Sequence, residues 1–319
     1  MNLSIASTVS VFEPVEVEKA LSQAIEDGNK GLERVYKKML QHGPNRFVSK
    51  PAGGVSSISS VSEECPNFSK VLQDLGHSLE LALHGQKHTL SMPILLAGDP
   101  GVGKTYFAKT LAKELGLTYE FISMGTLSAG WILSGSAPTW SGARQGKVSQ
   151  ALVEGEFANP LFLLDELDKT GGDHRFDPFG ALLQLLEGET ASHFVDEFLD
   201  VHLNASSIVW IATANHVEAI PDHILSRMAV YEVPSPTPEQ ARSISSNIYA
   251  KLRKEYSWPF EQTLSEACLD ALGKVPPREM RKRLMDAMGL ACQDKRNTLE
   301  AADILAGMPK AAKGPGFLS

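Results

Sequence analysis

The residues Gly98-Asp-Pro-Gly-Val-Gly-Lys104-Thr105 stand between a short apolar run at 93–97 and a helical pattern at 106–115. Glycines allow the backbone to direct successive N–H groups at phosphate oxygens, and the helix that follows offers its positive end to the same anion. In such a loop the lysine, Lys104, reaches the β- and γ-phosphates, and the hydroxyl of Thr105 ligates Mg²⁺. The stretch therefore predicts a nucleotide-binding loop that consists of Gly98, Asp99, Pro100, Gly101, Val102, Gly103, Lys104 and Thr105.

Two carboxylates follow another apolar run, at 161–164. We expect Asp165 and Glu166 at the carboxyl end of a buried strand, the edge of a parallel sheet at which ligands bind. Asp165 is suited to hold Mg²⁺, in part through water, and Glu166 to polarise an attacking water. A further strand, at 208–213, leads to Asn215. This amide would contact the γ-phosphate or the water if its strand neighbours that of the loop, and is otherwise a strand-end cap.

The pattern between 93 and 233 alternates short strands with helices, which predicts an α/β fold with a parallel sheet covered on both faces. The predicted strands are 94–97, 119–123, 161–165, 208–213 and 230–233. After Pro234 only helical patterns follow. A capping box, Thr237 to Gln240, opens a helix to Tyr256, and Thr263-x-x-Glu266 opens a second, which Gly273 ends. Two more helices, at 278–293 and 299–306, complete a small helical bundle.

The N-terminal part has a different pattern. Residues 13–41 show apolar positions at helical spacing, which predicts one amphipathic helix that ends before Gly43-Pro44. The segment 49–62 is rich in serine and glycine and has the composition of a flexible linker. A helix at 67–83 then precedes the first strand. We therefore divide the chain into a helix and linker (1–66), a nucleotide-binding domain (67–234), a helical domain (235–310) and a tail (311–319).

Composition limits the classes of protein to consider. The 319 residues carry a formal net charge of −8, so there is no global basic field for nucleic acid, although a local basic patch is compatible with this charge. The three cysteines, Cys65, Cys268 and Cys292, lack metal-ligand spacing and fit a reducing compartment. The N-terminus lacks the pattern of a secretory signal, and no apolar run has the length of a membrane span. We expect a cytoplasmic protein that does not contact a membrane.

Taken together, the motifs resemble those of the AAA+ ATPases, and among them the ATPase module of the Lon protease family. Five segments carry the resemblance: 162–169, Phe-Leu-Leu-Asp-Glu-Leu-Asp-Lys; 175–178 with 181–183; 198–201; 211–215; and 220–228, Ile-Pro-Asp-His-Ile-Leu-Ser-Arg-Met. It covers about residues 67–306. It implies an AAA+ domain with a five-stranded parallel sheet and a helical lid, ATP hydrolysis with Mg²⁺, and assembly into a homo-oligomeric ring, commonly a hexamer.

The resemblance also implies roles for three side chains. Arg227 corresponds to the arginine finger, which reaches the ATP of the neighbouring subunit. Arg278 corresponds to the lid arginine that senses the γ-phosphate, with Arg281 and Arg283 as alternatives nearby. Trp140 corresponds to the aromatic residue of the loop that grips a polypeptide in the central pore, although Ser141 stands where the family has an aliphatic residue. The alternative is that Trp140 is only a packed loop residue.

In the Lon family a peptidase domain follows the lid, and these 319 residues contain no such segment, so we expect no peptide cleavage by this chain alone. The expected function is ATP-driven remodelling or unfolding of a protein substrate, together with a partner enzyme. A nucleic-acid-associated switch or loader is the alternative, which Arg144 and Lys147 near Trp140 keep open. A third hypothesis is a ring that activates an enzyme without threading a substrate.

Overall fold

A computed structural model describes residues 4–51, 54, 56–84, 92–126, 131–140, 142–170 and 178–306. The chain folds into two compact units. Unit 1 consists of Met1–Val61, Lys70–Gly98 and Lys104–Val233, and unit 2 consists of Ser62–Ser69, Asp99–Gly103 and Pro234–Ser319. Among the predicted segments, residues 175–177, Ser141 and the tail at 311–319 lie outside the described residues.

The strands in chain order are β1 Ser4–Ser10, β2 Asn45–Lys50, β3 Ile94–Ala97, β4 Tyr119–Ser123, β5 Leu161–Asp165, β6 Phe194–Val195, β7 His202–Leu203, β8 Val209–Ala214 and β9 Ala229–Glu232. The helices before Pro234 are α1 Pro14–Glu26, α2 Lys30–His42, α3 Ser56–Glu64, α4 Ser69–His84, α5 Lys104–Leu115, α6 Trp131–Ser134, α7 Lys147–Glu154, α8 Pro178–Leu185, α9 Gly188–Ala191 and α10 Asp222–Leu225. The helices after it are α11 Pro238–Tyr256, α12 Glu266–Leu272, α13 Pro277–Gln293 and α14 Ala301–Ala306.

A five-stranded parallel sheet forms the centre of unit 1, in the order β4-β5-β8-β3-β9. The central strand β8 pairs with both neighbours, so that Ile211 lies beside Ile94 on one side and Leu163 on the other. Every residue of β3 and β8 is buried, as continuous apolar strands between two helical layers should be. The α/β prediction and the five predicted strands are confirmed, with bounds that differ by at most one residue. The strand before Asn215 does neighbour the strand before the phosphate loop.

The single helix predicted at 13–41 is wrong. The chain turns at residues 27–29 and forms two helices, α1 and α2. Asn29 caps the second helix, because its side chain accepts a hydrogen bond from the Leu32 N–H at 3.2 Å. Periodicity hid this break, since both helices bury their apolar faces in the same core, α1 through Val17 and α2 through Met39.

The flexible linker predicted at 49–62 is also wrong over its described residues. Ser49 and Lys50 complete β2, which pairs antiparallel with β1 across the α1–α2 hairpin. Residues 56–64 form α3, in which Val61 is fully buried. Serine-rich composition suggested flexibility here, but the few apolar residues of the segment are sufficient to anchor it.

Unit 2 contains the predicted bundle of four helices. The capping box of α11 is present: the Gln240 N–H donates to Thr237 Oγ1 at 3.3 Å, and the Thr237 N–H donates to Gln240 Oε1 at 2.9 Å. The N-cap of helix α12 is Ser265 rather than Thr263, since the Ser265 hydroxyl accepts from the Cys268 N–H. The core of the bundle includes Tyr249, Leu252, Cys268, Leu272, Leu284 and Met288.

None of the helices in the described ranges is long and apolar enough to cross a membrane. All three cysteines are free thiols, with Cys65 and Cys268 buried and Cys292 exposed.

Candidate nucleotide-binding site

Four predicted side chains of unit 1 meet at the carboxyl ends of β3, β5 and β8. The ammonium of Lys104 donates to the Gly98 carbonyl at 2.6 Å and to Asn215 Oδ1 at 2.9 Å. Lys104 is only 8% exposed, so these oxygens replace most of the water that its charge would otherwise bind. Asn215 reaches the lysine because β8 lies directly beside β3. The topology thus brings Lys104 and Asn215 together.

Thr105 and Asp165 form a second contact at the same sheet edge. The Thr105 hydroxyl donates to Asp165 Oδ1 at 2.8 Å, and the hydroxyl of Thr213 donates to the same oxygen at 2.7 Å. Thr213 Oγ1 also accepts from the Glu166 N–H at 2.9 Å. Thr213, on the strand β8, therefore fixes both candidate carboxylate residues. Thr213 is not among the residues predicted from the sequence, although its place two residues before Asn215 was a usable signal.

Glu166 adopts a left-handed backbone conformation, with φ 58° and ψ 50°. This conformation is uncommon outside glycine and turns the chain sharply after β5. The Glu166 carboxylate forms a salt bridge with Lys169, and both side chains are about half exposed. The hydrogen bond from Lys169 to this carboxylate raises the pKa of the lysine. Lys169 is a second partner that sequence analysis did not identify.

Asp168 fixes the backbone around Asn215. Its Oδ2 atom accepts from the N–H groups of Asn215 and His216, both at 3.1 Å. The carboxylate thereby orients the residue whose side chain contacts Lys104. No signal in the sequence assigned this task to Asp168, because the contact joins segments 47 residues apart.

The remaining loop residues, Asp99–Gly103, belong to unit 2. Gly101 has φ +87°, a conformation that glycine adopts without strain, and a Cβ atom placed on it would lie 3.3 Å from Arg278 Cβ. Asn67 donates to the Val102 carbonyl at 3.2 Å and to the Pro234 carbonyl at 3.1 Å. Arg278 is thus the candidate lid arginine that packs against the loop.

The two alternative arginines have other partners. Arg281 pairs with Glu255 at 2.9 Å. Arg283 is buried and pairs with Glu279, one turn earlier on α13, at 3.2 Å.

Arg227 and Trp140 line one groove of unit 1, with a volume of about 910 Å³, whose other residues include Trp131, Ala181, Glu187 and Glu197. Arg227 Nε lies 2.7 Å from Glu187 Oε1, and Arg227 Nη1 donates to the His223 carbonyl at 2.5 Å. Trp140 is 53% exposed, far more than a packed core tryptophan. An acidic partner and a carbonyl therefore hold the candidate finger at a surface groove.

Residues 94–234 match the sequence profile of the ATPase family associated with various cellular activities (AAA). Residues 94–234 form an AAA+ ATPase domain. The chain is 38% identical over 197 residues to the Lon protease of Dictyoglomus thermophilum, and 40% identical over 197 residues to that of Wolbachia pipientis. Each match covers 61% of this chain but only 25% and 24% of the relative, so the chain spans about a quarter of the length of these proteases. The resemblance to the Lon ATPase module is confirmed.

Solved structures of AAA+ proteins share the fold. The Hsp104:casein complex of S. cerevisiae superposes with a TM-score of 0.62 at 14% identity, over 76% of this chain and 48% of that one. The RuvB Holliday junction branch migration motor of Thermotoga maritima gives 0.52 at 17% identity, over 75% and 67%. At such identities the likeness concerns the fold alone.

The oxygen donors of the AAA+ domain fit Mg²⁺. Thr105 and Asp165 offer a hydroxyl and a carboxylate 2.8 Å apart, the hard ligands that this ion prefers. Among the described residues no group of three or more His, Cys, Asp and Glu side chains could hold a metal alone. Nucleotide phosphates and water would therefore have to complete the coordination, which is the usual arrangement for Mg²⁺.

The basic residues near Trp140 have partners within the chain. The Arg144 guanidinium lies over the ring of Trp131, 5.0 Å from its centroid. Lys147 donates to the Phe121 carbonyl on β4 at 3.0 Å. Both side chains are exposed, but each is directed at a neighbour in its own chain.

Proposed function

We propose that this chain hydrolyses ATP within a homo-oligomeric ring, commonly hexameric, and uses the energy to remodel or unfold a protein substrate or partner. The observation that carries the proposal is the cluster at the sheet edge, in which Lys104 contacts Asn215 and Thr105 contacts Asp165. A cation, a metal-ligand pair and a nearby carboxylate are the parts that phosphoryl transfer to water requires.

Each residue has a task in this proposal. The backbone of 98–103 and the Lys104 ammonium bind the phosphates, while Thr105 and Asp165 hold Mg²⁺. When bound, Mg²⁺ neutralises charge on the phosphate oxygens. Glu166 accepts the proton of the attacking water, and Asn215 orients that water beside the γ-phosphate. Arg278 senses the γ-phosphate from the lid.

Ring assembly follows from the place proposed for Arg227. Its guanidinium lies in an open groove of its own subunit and pairs with Glu187, whose side chain is 46% exposed. The Arg227 side chain is 27% exposed, and its Nε atom is buried without a well-oriented hydrogen bond to Glu187, so a phosphate of a neighbouring subunit could replace Glu187. Finger and phosphate loop then lie on opposite sides of a head-to-tail interface, and repetition of such an interface gives a ring when the rotation between neighbouring subunits closes.

A protein is favoured over nucleic acid as the target. Trp140 offers a large exposed ring for contact with a polypeptide. Arg144 and Lys147, the basic candidates for phosphate contacts, are directed at Trp131 and Phe121 instead. The formal net charge of −8 also disfavours long-range attraction of nucleic acid.

ATPase rates of the parent and Trp140→Ala proteins, alone and with casein or DNA, test the target. We expect casein to raise the parent rate, and Trp140→Ala to lose most of this stimulation because the contact surface is removed. The nucleic-acid hypothesis predicts instead that DNA stimulates the ATPase and that this stimulation falls steeply with salt. Arg144→Ala or Lys147→Ala should then weaken the stimulation more than Trp140→Ala does. No stimulation by either would favour a ring that activates a dedicated enzyme.

A further inference from the structure

Helix α7 follows directly after the loop at 136–145 that carries Trp140, and a buried carboxylate holds its first turn. Asp196 is fully buried. Its Oδ2 atom accepts from the Gly146 N–H at 2.8 Å and from the Ser149 hydroxyl. Its Oδ1 atom accepts from the N–H groups of Phe198 and Leu199, at 2.9 and 3.1 Å. Four donors thus converge on one side chain that the proposed ATPase mechanism does not use.

The same carboxylate closes the two ends of the loop. A Cβ atom on Gly135 would overlap Asp196, and one on Gly146 would overlap the Leu133 carbonyl and lie 2.6 Å from the Gly135 nitrogen. Only glycines permit this approach. Next to the close approach of Gly135 and Gly146, the Ser136 N–H donates to the Arg144 carbonyl, and the Arg144 N–H donates to Ser136 Oγ, both at 3.1 Å. The loop therefore rises from a narrow base fixed to Asp196.

A buried arginine holds the opposite end of α7. Arg46, from β2, is 4% exposed. Its Nε and Nη2 atoms donate to the carbonyls of Leu152 and Val153, both at 2.8 Å. Nη1 donates to the carbonyls of Gly43 and Asn45 at 2.8 and 2.9 Å. The guanidinium thus ties the last turn of α7 to the N-terminal β1–α1–α2–β2 element.

The two charges match the polarity of the helix. A helix N-terminus carries partial positive charge and its C-terminus partial negative charge, so a carboxylate at the first end and a guanidinium at the second are both stabilising. Burial raises the pKa of Asp196, while the hydrogen bonds from Ser149, Gly146, Leu199 and Phe198 act in the opposite direction. Burial lowers the pKa of Arg46. Burial thus opposes both charges, and the hydrogen bonds that Asp196 accepts from Gly146 and Ser149 and that Arg46 donates to the Leu152 and Val153 carbonyls offset part of this cost.

We propose that Asp196 and Arg46 are positioning residues that clamp α7 at its two ends and thereby set the direction of the Trp140 loop. In this arrangement the N-terminal element, which lies outside the AAA-matched residues 94–234, is part of the support of that loop. What the loop grips rests on the proposed function, whereas its fixation by the clamp does not.

Two conservative variants and one matched control test the clamp in the full chain. Asp196→Asn keeps the shape but replaces one carboxylate oxygen with an NH₂ group. That group cannot accept hydrogen bonds, so one of the two pairs of donors on Asp196 loses its acceptor. Arg46→Lys keeps the charge, but a single ammonium group cannot donate both to the carbonyls of α7 and to those of Gly43 and Asn45. Asn159→Ala is the control: Asn159 is also buried, and its side chain joins β2 through two 2.9 Å hydrogen bonds with the backbone of Ser49 rather than with α7.

The first readout is amide hydrogen exchange, which requires no substrate. We expect Asp196→Asn and Arg46→Lys to speed exchange in 136–147 about tenfold, with exchange in β3 unchanged, because the loop base opens locally. Asn159→Ala should leave 136–147 unchanged. If Asp196→Asn does not fold, Ser149→Ala, which removes one of the four hydrogen bonds, serves in its place. Unchanged exchange in 136–147, or equal effects in Asn159→Ala, would overturn the proposal.

The second readout separates this proposal from the proposed function. Where casein stimulates the parent ATPase, the clamp variants should raise the casein concentration for half-stimulation several-fold at a nearly constant maximal rate, since the loop is present but misdirected. A fall in maximal rate with unchanged half-stimulation would contradict positioning. If casein stimulates neither the parent nor any variant while exchange in 136–147 still accelerates in the clamp variants, the protein-remodelling function fails and the clamp stands.

Discussion

Asp165 Oδ1 accepts hydrogen bonds from two hydroxyls, those of Thr105 and Thr213, and Thr213 in turn accepts from the Glu166 N–H. Single atoms thus link the residues proposed to hold the metal and to activate water. The Glu166 side chain is bound differently, by an ion pair with Lys169 at an exposed position. Solvent weakens exposed ion pairs of this kind, so Lys169 can release Glu166 at little cost. Hydrogen bonds thus fix the proposed metal ligands Thr105 and Asp165, whereas only an exposed ion pair holds the side chain of Glu166, the proposed base.

Glu166→Gln tests this assignment of the base. The amide keeps the size of the side chain but cannot accept the proton of the water, so we expect ATP turnover to fall by about 100-fold or more. ATP binding should survive, because Lys104, Thr105 and Asp165 are unchanged. Turnover measured with purified protein, and nucleotide affinity measured by calorimetry, check both parts.

Lys104→Ala is the contrasting variant. It removes a charged donor that is proposed to contact the phosphates directly, so ATP affinity should fall by about 10- to 100-fold. If the Glu166→Gln protein hydrolyses ATP at the parent rate, another group acts as the base. Equal loss of affinity in the two variants would instead place Glu166 among the binding residues.

Elements outside the AAA-matched residues pack into the same core. The α1–α2 hairpin contributes Val17, Tyr36 and Met39 to the cluster that also contains Phe194, Leu199 and Leu203 of the β6–β7 region. The Tyr36 hydroxyl donates to the Leu199 carbonyl, and the His202 N–H donates to Glu16 Oε1 at 3.1 Å. The N-terminal element is therefore built into unit 1 rather than tethered to it.

Tyr36→Phe tests this packing. The ring remains, but the buried hydrogen bond to Leu199 is lost, so the free energy of unfolding should fall by about 1 kcal/mol at pH 8. Burial, together with Asp200 and Asp196, raises the pKa of Tyr36 from 10.0 to about 12. Because the folded state holds this proton more tightly, the tyrosine's contribution is complete below pH 10 and is lost as the pH rises towards 12.

Urea unfolding at pH 8 and pH 11 measures the difference. The parent should lose more stability between these values than Tyr36→Phe, which lacks the titrating hydroxyl. Tyr256→Phe is the control, since Tyr256 is 43% exposed and keeps its ring stacking on Trp258. A parent and a Tyr36→Phe protein with parallel pH curves would show that Tyr36 does not titrate with unfolding.

Local patterns determined which elements could be predicted. The strands of the sheet and the capping box of α11 were predicted because apolar runs and Thr237–Gln240 are signals contained within a few residues. The break between α1 and α2 was missed because helical periodicity continues through it. Asn29, a residue type that often caps helices, was the signal of the break within the sequence.

The site shows the same division. Lys104, Thr105, Asp165 and Asn215 were selected because each stands at a strand end or in a loop with a recognisable sequence. Asp168, Glu187 and Lys169, the partners of Asn215, Arg227 and Glu166, were not, since ordinary acids and lysines carry no local signal. The contact of Glu187 with Arg227 joins residues 40 positions apart and depends on how α8 and α10 pack. Tertiary packing, rather than any motif, determines such pairs.

For the whole molecule, the important question is whether one subunit completes the site of the next. Arg227 lines an open groove and pairs with the exposed Glu187, while its own side chain is 27% exposed. In a head-to-tail ring every interface joins the finger of one subunit to the phosphate loop of another. The proposal therefore predicts complementation between two inactive variants, which a site within one subunit does not allow.

Arg227→Ala and Lys104→Ala provide this test. Each alone should lower turnover by about 100-fold or more, the first because a transition-state charge is unpaired and the second because ATP is not held. In rings mixed in equal amounts, about one quarter of the interfaces combine an intact Arg227 with an intact Lys104. We therefore expect turnover to recover to about one quarter of the parent rate, with native mass spectrometry to establish that mixed rings form. Mixed rings without recovered turnover would show that Arg227 does not act across the interface. Interfaces that join an intact Arg227 to an intact Lys104 would then be present but inactive.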